Sequence, residues 1–146
     1  MISKTISIKP MIDQDLERVT SLEHTTFGNN GYTKNEFRIM KKDPQYTVLV
    51  YTGPNELYGY AVYMTRKHMC RILRIVVDPL YYQEGIGTQL LDRIKKGMSQ
   101  NTKISMKLED NNIVGHLFLK HNQFLATKVL KSKNSDENDQ YLFEYN

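Results

Sequence analysis

The sequence predicts an α+β domain over residues 1–146: a mixed, mostly antiparallel sheet of six to seven strands, flanked by four helices. Three observations carry that prediction. Residues 46–77 hold three apolar, β-branched runs joined by short turns, the pattern of a meander. Residues 86–98 place Ile86, Leu90, Leu91, Ile94 and Met98 on one helical face, with Asp92, Arg93, Lys95 and Lys96 opposite. Helical segments on either side of these runs alternate with shorter strands.

Taken in order, Thr5 to Lys9 alternates around Ile6 and Ile8 and stops at Pro10, a short first strand. Asp13 is placed to cap a helix from about Gln14, with Leu16, Val19 and Leu22 on its inner face. Gly28-Asn29-Asn30-Gly31 reads as a loop. Thr33 with Glu36 three residues on forms a capping box, and Phe37 and Met40 face inward until Asp43-Pro44 ends that helix.

Tyr46 to Tyr51, Leu57 to Met64 and Cys70 to Val77 form the meander, turning at Gly53-Pro54-Asn55 and Arg66-Lys67-His68. After the amphipathic helix, Lys103 to Leu108 is a strand. Asn111-Asn112 opens a helix expected to bury Val114, Leu117, Phe118 and His121. Ala126 to Leu130 and Tyr141 to Tyr145 are the last strands, and the polar segment from Lys131 to Gln140 between them is expected to be mobile.

Composition narrows the function classes. One cysteine, Cys70, excludes an intramolecular disulfide, and its place in an apolar run reads as a buried thiol. Four scattered histidines make no zinc motif, so no metal is expected. No apolar run approaches the ~18 residues of a membrane span. Met1-Ile2-Ser3-Lys4-Thr5 shows no charged-then-apolar leader. A cytoplasmic protein without membrane attachment is therefore the expectation, as a monomer or homodimer. The formal charge of +4 suits an anionic ligand but lacks the dense basic stripe of a nucleic-acid binder. The tightest basic cluster, Arg66, Lys67 and His68 with Arg71 and Arg74, reads as a solvated turn and strand edge.

The chemistry-bearing stretch runs from Leu73 to Met98. An apolar strand stops at Asp78-Pro79, and Tyr82-Gln83-Glu84-Gly85-Ile86-Gly87-Thr88 leads into the helix. Glycines opening a helix let backbone come close to a ligand and aim unpaired N–H groups at it, which favours phosphate. A P-loop would need lysine after Gly87, where Thr88 stands. A dinucleotide fingerprint would need glycine at Leu90 and a loop directly after the strand, whereas residues 78–84 intervene.

This spacing resembles the acyl-CoA loop of the GNAT acetyltransferase superfamily, Arg/Gln-x-x-Gly-x-Gly/Ala after a strand ending apolar-apolar-Val-x-Pro. Ile75-Val76-Val77-Asp78-Pro79 is the strand end and Tyr82 to Gly87 the loop, with Tyr82 in the Arg/Gln position and Gln83 beside it. Asp15-Leu16-Glu17-Arg18-Val19, Glu23-His24-Thr25-Thr26-Phe27 and Thr33-Lys34-Asn35-Glu36-Phe37 are similar to the acceptor-side segments of ribosomal-protein-alanine acetyltransferases. The resemblance covers nearly the whole chain and implies a GNAT fold with a central splay. It implies acetyl-CoA as acyl donor, held by Ile75, Val76, Val77, Tyr82, Gln83, Glu84, Gly85, Ile86, Gly87, Thr88, Asn112 and Leu119. It further implies a primary amine as acceptor, foremost a protein N-terminal amine, attacking directly in a ternary complex.

A second family signature, Asn-x-x-Ala-x-x-Phe/Leu-Tyr-x-x-x-Gly-Phe, falls on Asn112, Gly115, Phe118, Leu119, Gln123 and Phe124. Asn112 matches and is also a good helix N-cap. Leu119 stands where the family's tyrosine protonates the departing thiolate. Lys107 stands where the alanine acetyltransferases carry a glutamate base, and Arg71 where histone-type relatives carry theirs. None of the three is a suitable acid or base at neutral pH. Glu109, two residues past Lys107 and on the same strand face, is the candidate substitute base. The alternatives are an acyl-CoA-binding module without transfer activity, and acetylation of a small-molecule amine.

Overall fold

The structure, a computed structural model, describes residues 5–146; the expectation for Met1 to Lys4 lies outside them. The element order is β1 (Ser7–Pro10), α1 (Leu16–Phe27), α2 (Lys34–Lys42), β2 (Tyr46–Thr52), β3 (Leu57–Arg66), β4 (Met69–Val77), α3 (Ile86–Lys96), β5 (Lys103–Glu109), α4 (Ile113–His121), β6 (Leu125–Leu130) and β7 (Gln140–Tyr145). The described strands form one sheet in the order β1-β2-β3-β4-β5-β7-β6. All neighbours are antiparallel except β4 and β5. This is the α+β class expected, at the upper strand count.

Alternation of side chains splits the core into two layers. Val48 and Val50 of β2 and Tyr60 and Val62 of β3 face α1 and α2, meeting Leu16, Val19, Leu22, Phe37 and Met40. Leu49, Ala61, Cys70, Ile72 and Ile104 face the other way, against Ile86, Leu90, Leu91 and Ile94 of α3 and Leu119 of α4. The α3 stripe read from the sequence is thus the buried one. Burial raises the Cys70 thiol pKa to about 12, as expected for a packed rather than reactive cysteine.

Two local expectations need correction. Asp13 does not cap α1. A 3-10 turn over Asp13–Asp15 precedes the helix, the Ile12 N–H donates to Asp15 Oδ2 at 2.9 Å, and exposed Asp13 pairs with Lys41. The sequence shows two nearby acids, and only the turn decides between them. Next, α4 turns Val114, Leu117 and His121 to solvent and buries Leu119 and, in part, Phe118. An apolar run without a polar side leaves the inner face undetermined. In the polar loop after β6, Asp139 accepts from Ser132 N at 2.8 Å and Lys131 Nζ at 3.2 Å. The capping box of α2 is as read: Thr33 accepts from Glu36 N, and Glu36 from Thr33 N.

Candidate active site

One irregularity in β4 builds the site. Opposite Val62 and Tyr63, β4 presents Arg74 and Ile72, leaving Leu73 as an extra bulged residue. A bulge bends its strand and breaks the local ladder. The parallel pairing of β4 with β5 runs from Met69/Lys103 to Ile72/Met106 and ends there, although β4 continues to Val77 and β5 to Glu109. Past the bulge the two strands part. The cleft between them has a volume of about 1050 Å³, enough for a nucleotide-sized ligand.

The N-terminus of α3 closes one end of the cleft. Gly85 caps that helix at φ 77 and Gln83 sits at φ 68, so the loop needs left-handed backbone at both. Gly87 serves close approach instead: a Cβ there would stand 3.3 Å from Phe118 Cε1. The N–H groups of Ile86, Gly87 and Thr88 have no hydrogen-bond partner among the described residues, while Gln89 N–H already bonds Gly85 O. Such N–H groups at a helix start suit a diphosphate.

Of the residues expected to hold acyl-CoA, Ile75, Val76, Val77, Tyr82, Gln83, Gly85, Ile86, Gly87, Thr88, Asn112 and Leu119 all line this cleft. Glu84 does not; it lies exposed at the outside of the loop. Asn112 is spent in part on its own helix, since Oδ1 accepts from Gly115 N at 2.9 Å. A Cβ at Gly115 would stand 2.8 Å from Asn112 Nδ2, so a side chain there would displace that cap. Leu119, 1% exposed, forms part of the apolar wall. Lys107 and Glu109 lie exposed along the open edge of β5, and Asn138 Nδ2 donates to Glu109 Oε2 at 3.1 Å. Glu109 is the one carboxylate among the lining residues.

Sequence reasoning missed the end of the cleft at the bulge. Arg74 is not a solvated edge residue: its guanidinium lies between the rings of Phe27 and Tyr32, 4.2 and 4.3 Å from their centroids. Its Nε donates to Glu23 Oε2 at 3.1 Å. Glu23 is fully buried and also accepts from Tyr32 N at 2.8 Å and from the Tyr60 hydroxyl. Burial, and then that bond to Glu23, hold the Tyr60 hydroxyl far above its usual pKa. The available signal was an acid and two aromatics between Glu23 and Tyr32, without any sign of their partner on β4.

Among the described residues no group of three or more His, Cys, Asp or Glu side chains is placed to hold a metal ion. No described helix is long and apolar enough to cross a membrane.

Solved structures with the same fold include the ribosomal-protein-S18-alanine N-acetyltransferase of Escherichia coli, at 16% identity and TM-score 0.78, covering 95% of this chain and 92% of that one. Arabidopsis thaliana NAA60 in complex with acetyl-CoA is similar at 20% identity and TM-score 0.80, covering 97% and 98%. Arabidopsis thaliana Naa50 in complex with the bisubstrate analogue CoA-Ac-MVNAL is similar at 17% identity and TM-score 0.78, covering 97% and 99%. No curated protein matches the sequence. The family model for the acetyltransferase (GNAT) domain matches residues 13–112, most of the sheet and the whole glycine loop, and the chain belongs to the GNAT acetyltransferase family.

Proposed function

We propose that this protein transfers an acetyl group from acetyl-CoA to a primary amine, foremost the N-terminal amine of a protein, in the cytoplasm. The parting of β4 and β5 just past Leu73, with the glycine-opened helix at its far end, carries the proposal. It supplies a slot for an extended arm and a cradle for a diphosphate in one continuous cleft. NAA60 bound to acetyl-CoA and Naa50 bound to a peptide-bearing analogue share this fold and support that reading.

In this reading the donor supplies an acetyl thioester, whose carbonyl carbon accepts the amine nitrogen while the carbon–sulfur bond breaks. The chain's own part is placement. N–H groups of Ile86 to Thr88 hold the diphosphate, the free edge of β4 from Leu73 to Val77 holds the arm, and Leu119 and Phe118 keep water from the thioester. Leu119, on the family's acid position, has no proton to give, and Lys107, on its base position, carries an ammonium group that donates but does not accept. Rate then rests on proximity and on the amine arriving neutral. An α-amine, with a pKa of ~7.7–8.0, does so in useful fraction, whereas a lysine amine at ~10.4 does not. The proton that the amine gives up passes through water to the departing thiolate, with Glu109 exposed at the rim as the one carboxylate among the lining residues.

Gly87→Leu tests the cradle. Its side chain would fill the loop and press on Phe118, so acetyl-CoA binding by calorimetry should be lost while the melting temperature falls only slightly. Unchanged affinity would remove the assignment. Single-turnover assays with labelled acetyl-CoA and a panel of peptides and small amines test the transfer. Label on a peptide N-terminus supports it, and tight binding without transfer to any amine marks a binding module instead.

A further inference from the structure

We infer that the end of the cleft at the bulge selects acceptor amines carrying a carboxylate close to the reacting nitrogen. The inference rests on the acetyl-transfer reading above and specifies its acceptor. It comes from the charges that surround the apex where β4 and β5 part.

Arg74 follows the bulged Leu73 directly and lines the cleft. Its orientation is fixed twice over: Phe27 and Tyr32 sandwich the guanidinium plane, and Nε is tied to Glu23. Nη1 reaches Leu73 O at 3.3 Å, and Nη2 has no hydrogen-bond partner among the described residues. The side chain keeps 21% of its surface exposed. A pre-aimed guanidinium with a free N–H edge is a receptor for a planar carboxylate.

The neighbouring groups reinforce this preference. Lys107 stands across the opening, one residue past the last β5 residue that pairs with β4, exposed and without an ion pair among the described residues. Arg71 lies on the same sheet face, opposite Ser105, with its Nε buried and unpartnered. Against these cations stand Glu23, already engaged by Arg74, Tyr32 and Tyr60, and Glu144 on β7 opposite Ser105, already paired with Lys103. Glu109 lies two strand positions beyond Lys107, about 7 Å along β5, and is bonded to Asn138. The apex is therefore cationic where the acceptor must arrive. A polycation such as a polyamine is repelled there, and an amine with an adjacent carboxylate is drawn in.

Two sources could present that chemistry, the side chain of an acidic first residue in a peptide or the α-carboxylate of a free amino acid. Initial rates of acetylation should be compared for peptides beginning with Glu or Gln, and for alanine against alaninamide. In at least one pair the carboxylate member should show kcat/KM at least tenfold above its carboxamide partner, and that pair names the source. Lys107→Glu, an exposed substitution that leaves packing intact, should reduce the preference threefold or more. Arg74→Lys should reduce it further, by keeping the charge and losing the planar fork. A merely structural Arg74–Glu23 bond would lower rates for all acceptors alike and leave the ratio unmoved. Equal rates within both pairs, with transfer observed, overturn this inference and leave the acetyltransferase reading standing. No transfer to any of the four overturns this inference alone, and acetyl-CoA binding without transfer to any amine of the wider panel overturns both.

Discussion

Burial makes Cys70 an inert thiol. With its pKa lifted to about 12, iodoacetamide at pH 8 should leave the native protein unmodified by mass spectrometry and label it once urea unfolds it. Rapid native labelling would show that this part of the sheet opens. Glu109 poses a different residue-scale question. Its distance along β5 and its bond to Asn138 set it apart from the apex. Glu109→Ala should lower kcat less than tenfold across pH 6 to 9, short of the ~10²–10⁴ expected of a general base. A larger loss that erases the acid limb of the profile would make it the base. Cys70 and Glu109 were legible as residues because exposure follows from strand alternation. Arg74 was not, since Glu23, its partner in charge, lies 51 positions earlier and meets it only when α1 folds over the sheet.

Helix ends show the same division. The α2 start was readable because both halves of its capping box lie within four residues. The end of α4 was not. The chain leaves that helix through Gln123 at φ 68, with Phe124 N–H bonding Leu119 O at 2.9 Å, a conformation glycine adopts without strain. Gln123→Gly should stabilise the protein by ~0.5–1 kcal/mol, net of glycine's greater unfolded-state entropy. Chemical denaturation measures this, and a loss of stability would show that the Gln123 side chain, whose Nε2 reaches His121 O at 3.3 Å, matters more. The loop after β6 adds a pH term. Its Asp139 pKa is held below the ordinary value, first by Ser132 N–H and then by Lys131. A depressed carboxyl stabilises above its unfolded pKa of ~3.9 and loses that contribution as pH falls through the lower folded value. Hydrogen exchange in this loop should therefore accelerate only in that acidic window.

At the scale of the molecule, local patterns sufficed for the strands and for their meander, because neighbours in sequence are neighbours in the sheet from β1 to β4. The insertion of β7 between β5 and β6 rests on long-range pairing that no short pattern announces. Nor does any composition signal mark Leu73 as surplus. Removing it should restore even pairing between β3 and β4 and allow β5 to follow β4 further. The deletion variant should fold with an equal or higher melting temperature and lose acetyl-CoA binding by calorimetry. Retained binding would place the origin of the cleft elsewhere.

Should the deletion close the cleft, a capacity for chemistry would hang on one supernumerary residue. Three in-frame nucleotides would then separate a sheet that is only a scaffold from one that admits a ligand, and descendants of this gene would be free to lose the cleft and keep the architecture for other uses.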